Sequence, residues 1–171
     1  MFVDIRGYTA LVERMAPTDV VARLNRFYDI ATKAIFRYDG TLDKLVGDEV
    51  MAFFGAPLHW RDHPKRAVAA ALEILQEVAS LPENNRLKIG IGISTGEAFV
   101  GNVGGNEVAD YTVLGDTVNI AARLQSAAAP GEILIAQDTY SPIAKAFPNA
   151  RRRDLDLKGK SALVTAWEIA G

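Results

Sequence analysis

The order and spacing of apolar segments predict an α+β chain: a mainly antiparallel sheet with helices packed on one face. Three observations carry this. Residues 17–38 place Val20, Leu24, Phe27, Ala31 and Ile35 at helical spacing. Residues 41–46 and 50–54 are two short apolar runs around Gly47, Asp48 and Glu49, which read as a hairpin. Beyond residue 130, short strand-like runs follow one another with turn residues between them.

The elements follow in order. Residues 1–5 read as the end of a strand, and Asp39-Gly40 stops the helix that starts at Pro17. Pro64 suits a first helical turn, and Ala67, Val68, Ala71, Leu72, Leu75 and Val78 then mark a second amphipathic helix. Residues 82–85 read as a loop. Residues 87–94 alternate isoleucine with glycine and are expected to pair, as a hairpin, with a strand over 97–103 that Gly104, Gly105 and Asn106 close. Asp116 reads as the cap of a third helix that ends near Ala128, before Pro130 and Gly131. Strands are expected over 133–136, 152–157 and 163–169, and the run Arg151 to Asp154 reads as a solvated strand end.

The chain has 171 residues, enough for one well-cored domain, and no internal repeat or linker divides it. A net charge of -2 gives no footprint for nucleic acid. There is no cysteine, which excludes disulfides, thiolate metal sites and a cysteine nucleophile. No apolar run approaches the roughly 20 residues of a membrane helix. The fragment itself reads as soluble and its composition leaves the compartment open; a cytoplasmic catalytic domain, in a full-length protein that could be membrane-attached, is the expectation. Because the chain opens directly on a strand, it reads as a piece of a longer protein.

Several residues can carry chemistry. Asp4 ends an apolar strand and precedes Gly7, whose turn can aim backbone N–H groups at an anion; a helix cap is the plainer reading of such an aspartate. Asp48 reads either as an exposed turn acid or as a cation ligand. Together the two aspartates place carboxylates on neighbouring strand ends, the hard-oxygen set that suits Mg²⁺ bound with substrate phosphates. Lys44 reads on its own as a salt-bridge neighbour of Asp48. Asn119 and Arg123 share one helix face at i and i+4, as a polar edge or as a pair that orients a hydroxyl and stabilises phosphoryl charge. His59 and His63 lack a partner set for a metal and read as surface residues. Gly90, Gly92 and Gly96 are spaced for a strand pair rather than a dinucleotide loop, and no Walker sequence occurs. Lys158 and Lys160 flank Gly159 as a turn or as a cationic clamp for phosphates.

Taken together, FVDIRGYT, LDKLVGDEVMAFFGAP, GISTGEAFVGNVG, YTVLGDTVNIAARLQ and LKGK, in this order, resemble the catalytic domain of class III adenylate/guanylate cyclases over nearly the whole chain. The resemblance implies a ferredoxin-like, palm-type fold and a head-to-tail homodimer with active sites at its interface. It implies that Asp4, Asp48 and the Ile5 carbonyl bind two Mg²⁺ or Mn²⁺ ions, and that the backbone of Gly7, Tyr8 and Thr9 holds phosphates. Lys44 and Thr112 match the purine-reading pair in its adenine form, Asn119 and Arg123 the pair at the ribose and α-phosphate, and Lys158 the lysine at the terminal phosphates. The implied activity is conversion of ATP to 3′,5′-cyclic AMP and pyrophosphate, with regulatory domains elsewhere in the full protein. A guanylate cyclase, or a nucleotide-binding dimerisation module without turnover, are the alternatives. Two departures stand out: Glu97 occupies a place where some relatives carry arginine, and the first strand is short before Phe2.

Overall fold

The computed structural model describes residues 1–105, 107, 109–157 and 162–169, with backbone alone at residue 84. A seven-stranded sheet forms its centre, in the order β2-β3-β1-β4-β7-β9-β8. These strands are β1 (Phe2–Ile5), β2 (Gly40–Val46), β3 (Glu49–Phe54), β4 (Ile89–Ile93), β7 (Ile133–Ala136), β8 (Arg151–Leu155) and β9 (Val164–Ile169). Among the described residues only β4 and β7 run parallel, so the sheet is mainly antiparallel, as the apolar pattern predicts. A separate two-stranded sheet joins β5 (Phe99–Gly104) to β6 (Ala109–Leu114).

Among the described residues five helices accompany the strands: α1 (Tyr8–Val12), α2 (Pro17–Arg37), α3 (His63–Ser80), α4 (Asp116–Ala127) and α5 (Gln137–Tyr140). Short 3₁₀ segments occupy Glu83–Asn85 and Ser141–Ala146. The β2–β3 hairpin and the α2, α3 and α4 helices fall where periodicity puts them. The other short helical turns and β6 have no clear periodic signal. The N-cap position of the third helix is Gly115, and Asp116, expected there, is instead its first residue.

β4 explains two departures from expectation. Its sequence, IGIGI, is buried along its whole length. Ile89, Ile91 and Ile93 enter the main core with Phe27, Ile35 and Ile74 of α2 and α3. Gly90 and Gly92 face the other way, because strand side chains alternate. A Cβ added at Gly92 would lie 2.2 Å from both the Ala121 carbonyl oxygen and the Gln125 nitrogen of α4. The helices therefore lie on both faces of the sheet, α2 and α3 on one and α4 on the other, rather than on one. A second core of Leu124, Ala128, Leu134, Ala136, Leu157 and Ala166 forms beneath α4.

The predicted hairpin of residues 87–94 with 97–103 does not form. β4 pairs instead with β1 and β7, and β5 pairs with β6. A strand that buries isoleucines on one face and admits a helix backbone on the other belongs in the middle of a sheet. β5 is mostly exposed and cannot provide that cover.

β8 is an edge strand, and its arginines form ion pairs: Arg151 with Glu168 at 3.0 Å and Arg152 with Asp154 at 3.2 Å are solvated as expected, whereas Arg153 is half-buried against Glu132. The histidine expectation holds only in part. His59 is exposed, but His63 opens α3 half-buried and packs beneath Gly55.

Gly92 is the test of this arrangement. Gly92→Ala forces backbone apart from backbone, and an overpacking cost on the order of 3 kcal/mol is expected. Urea unfolding should show a lowered midpoint with an unchanged slope.

Candidate active site

Asp4 sits one residue before the end of β1, opposite Glu49 on β3 and Gly90 on β4. Val3 and Ile5 point into the main core, so alternation turns Asp4 toward the α4 face. Asp48 occupies the two-residue loop between Val46 and Glu49. Gly47, at φ 59°, supplies the positive φ that a primed hairpin turn needs at its first position. The Tyr28 hydroxyl of α2 donates to the Gly47 carbonyl and pins this turn.

The two carboxyls are close enough to act on each other. Burial first, and then the Asp48 charge and its hydrogen bond, push the Asp4 carboxyl up to about 6; Arg6 and Gln125 pull the other way. Glu49 is also raised, by burial and then by Asp48. The Arg6 N–H donates to the Lys88 carbonyl on the β4 side at 2.7 Å. Because a trans peptide points its C=O opposite its N–H, the Ile5 carbonyl faces the β3 side. There the ladder has already ended, at the Asp4–Glu49 pair. Asp4, Asp48 and the Ile5 carbonyl thus converge at one end of the hairpin.

Among the described residues no group of three or more His, Cys, Asp or Glu could hold a metal ion. Two crowded carboxylates and a carbonyl nonetheless fit Mg²⁺ or Mn²⁺. Such hard ions take one or two carboxylates and fill their other positions with water and phosphate oxygens. A divalent cation would also offset the burial and the Asp48 repulsion that together raise Asp4.

Arg6 organises the floor of the site. Its Nη1 donates to Asp4 Oδ2 at 3.1 Å and its Nη2 to the Gln125 carbonyl of α4. A Cβ at Gly90 would lie 2.2 Å from this guanidinium, so the glycine makes the space that Arg6 fills. Gly7, at φ 73°, turns the chain from β1 into α1 and places Tyr8 and Thr9 in its first turn. Their backbone N–H groups have no intrahelical acceptor there.

A second cluster lies on β2 and β6. Lys44 pairs with Asp43 at 3.4 Å and with Asp110 at 4.0 Å, not with Asp48. Thr112 is buried and donates to Asp43 Oδ2 at 2.6 Å. Lys44 and Thr112 are therefore brought together through an aspartate that sequence reasoning passed over. Its signal was a charged residue inside an apolar strand.

Asn119 and Arg123 occupy one stripe of α4. The sheet-facing stripe holds Ala121, Leu124 and Gln125. At about 100° per residue, Asn119 and Arg123 lie within about 20° of the direction opposite Ala121. Asn119 is exposed and Arg123 half-buried. They point away from the sheet that carries Asp4, across the thickness of the helix. Glu97 is exposed in the segment between β4 and β5. Lys158 falls outside the described residues, as does Lys160.

The family model for the adenylate and guanylate cyclase catalytic domain matches residues 1–169, and the chain belongs to that family. Adenylate cyclase 1 of Rhizobium meliloti is 32% identical over 184 aligned positions, which cover 100% of this chain and 27% of that protein. The crystal structure of the adenylyl cyclase CyaB from P. aeruginosa superposes with a TM-score of 0.91 at 36% identity, covering 99% of this chain and 91% of that one. The guanylyl cyclase Cya2 gives a TM-score of 0.89 at 32% identity, covering 99% and 89%. The chain spans about a quarter of the length of the curated relatives it matches. Both nucleotide specificities occur among these neighbours. No described helix is long and apolar enough to cross a membrane.

The crowded carboxylates have a measurable consequence. An aspartate raised in the folded state, from 3.8 to about 6, favours folding least when ionised. Its penalty is absent below about pH 4, grows toward pH 6 and is complete above it. With metal removed, Asp4→Asn should raise stability at pH 7.5 by about 1 kcal/mol after allowance for solvent screening. Thermal unfolding across pH 4–8 should show the gain vanish at the acid end.

Proposed function

We propose that this chain is the catalytic domain of a longer adenylate cyclase, converting ATP to 3′,5′-cyclic AMP and pyrophosphate at composite sites of a homodimer. The observation that carries the choice of nucleotide is the Lys44–Thr112 pair, joined side by side at Asp43. An ammonium donates to the N1 acceptor of adenine, and a hydroxyl oxygen accepts from the 6-amino group.

Asp4, Asp48 and the Ile5 carbonyl would hold Mg²⁺ or Mn²⁺, which when bound supplies charge neutralisation at the triphosphate and a more acidic ribose 3′-hydroxyl. The N–H groups of Gly7, Tyr8 and Thr9 donate to β- and γ-phosphate oxygens, and the role of binding the terminal phosphates is assigned to Lys158 by its match to the family's lysine. Asn119 orients the ribose. Arg123 neutralises the charge that builds on the α-phosphate oxygens. The 3′-oxygen forms a bond to the α-phosphorus as the bond from that phosphorus to the bridging oxygen breaks, and the 3′ proton leaves to solvent. Catalysis of this kind is mostly positioning and electrostatics, so no protein nucleophile is needed.

The orientation of α4 supports the homodimer. One chain's Asn119 and Arg123 face away from its own Asp4 and Asp48, and in the proposed dimer a second chain brings the two sets onto one nucleotide. In a two-fold pair both sites are complete.

A guanylate cyclase reading is favoured by the likeness to Cya2, and nucleotide competition decides between the two. Purified protein given Mg²⁺ or Mn²⁺ with ATP or GTP, and analysed by chromatography, should yield cyclic AMP and pyrophosphate with ATP strongly preferred. Nucleotide binding by calorimetry without any product would instead support a binding module. The composite site has its own test. Asp48→Ala and Arg123→Ala should each reduce activity by about a thousandfold or more. Mixing the two should restore about a quarter of wild-type activity, since random pairing leaves one intact site in half of the dimers.

A further inference from the structure

We propose that Asp43 is a specificity-determining positioning residue: by holding the Thr112 hydroxyl proton, it makes Thr112 a one-way acceptor that takes an adenine 6-amino group and turns away a guanine. The proposal rests on the reading of Lys44 and Thr112 as the base-recognising pair.

Asp43 is placed for this by an irregularity in β2. Leu42 pairs with Ala52 and Lys44 with Met51, so Asp43 is an extra residue without a partner across the ladder. A bulge of this kind re-aims a side chain. Asp43 turns off the main sheet toward β6, where its side chain is only 1% exposed. Its Oδ2 accepts two hydrogen bonds, from the Thr112 hydroxyl at 2.6 Å and from the Val113 N–H at 3.2 Å. Its Oδ1 is buried without a hydrogen bond and faces the Lys44 ammonium 3.4 Å away. One buried acid thereby touches both base-reading side chains.

The chemistry lies in the hydroxyl. A threonine hydroxyl has one proton and two lone pairs, and in general can donate or accept. Once that proton is committed to Asp43, only lone pairs remain for a ligand. Adenine presents an amino group at position 6 and guanine a carbonyl oxygen. The first meets an acceptor with a donor; the second sets acceptor against acceptor. Lys44 cannot supply this discrimination alone, because an ammonium donates as readily to guanine O6 as to adenine N1. The selection therefore falls on the direction of the Thr112 hydrogen bond, and that direction is set by Asp43. If Asp43 merely fastened β6 to β2, its loss would weaken both nucleotides equally.

The test measures kcat/KM for ATP and GTP in the full-length protein. Asp43→Asn is nearly isosteric, but its amide can donate to the Thr112 oxygen and so release the hydroxyl proton toward a ligand. The ATP:GTP ratio should fall about 10- to 100-fold, with kcat/KM for GTP rising in absolute terms. Thr112→Ala should lower the same ratio from both sides, weakening ATP and relieving the acceptor-against-acceptor contact that opposes GTP. In the Thr112→Ala background, Asp43→Asn should change the ratio no further. Equal losses for both nucleotides in Asp43→Asn would overturn the proposal. So would an unchanged ratio in Thr112→Ala, which remains decisive if Asp43→Asn does not fold. A wild-type protein without preference for ATP would overturn the base-reading assignment itself, and the role of Asp43 with it. An ATP-selective wild type with a ratio insensitive to Asp43→Asn removes only the latter.

Discussion

α4 lies against the sheet because β4 presents no side chains on that face. At Gly92 the helix backbone comes so near that even a methyl group would collide with it. This approach fixes both the position and the rotation of the helix. Ala121, Leu124 and Gln125 are committed to the sheet, and the opposite stripe, with Asn119 and Arg123, is left facing outward. The Gln125 carbonyl then lies within reach of Arg6, which links the helix to Asp4. A single steric allowance thus governs the carboxylate site below the helix and the polar pair above it.

The same region concentrates electrostatic cost. Asp4, Asp48 and Glu49 share one end of the β2–β3 hairpin, with Arg6 as the cation bound to Asp4. Burial and like charge both work against ionisation of Asp4. Groups held against their own preference in this way are common where a protein must bind charge rather than maximise stability. The rigid supports around them, the Tyr28 bond to Gly47 and the Arg6 bridge to α4, keep the acids from relaxing apart.

What was legible in the sequence follows from what leaves a local signal. Helical spacing marks α2 and α3 because a long helix must bury one stripe, and the Gly47-Asp48 turn marks its hairpin because the backbone needs positive φ there. The ordered motifs led to Asp4, Asp48, Lys44, Thr112, Asn119 and Arg123 before any fold was known. Partnership between strands was not legible in the same way. β4 and β5 are adjacent in sequence, yet each pairs elsewhere, and the alternation of Ile with Gly announces a strand without saying that a helix will occupy the glycine face. Asp43 and Tyr28 were missed for a related reason. Each matters through a contact with a residue 19 to 70 positions away in the chain, which no window of sequence contains.

The two edges of the main sheet are closed in different ways. β8 carries three arginines engaged with acids, and β2 is broken by the Asp43 bulge. Exposed edges invite another strand to add, and charge or a bulge discourages it. Self-association of this protein is thereby channelled away from open-ended strand stacking. What the sheet leaves open to a partner is its faces and helices, which do not propagate strand by strand.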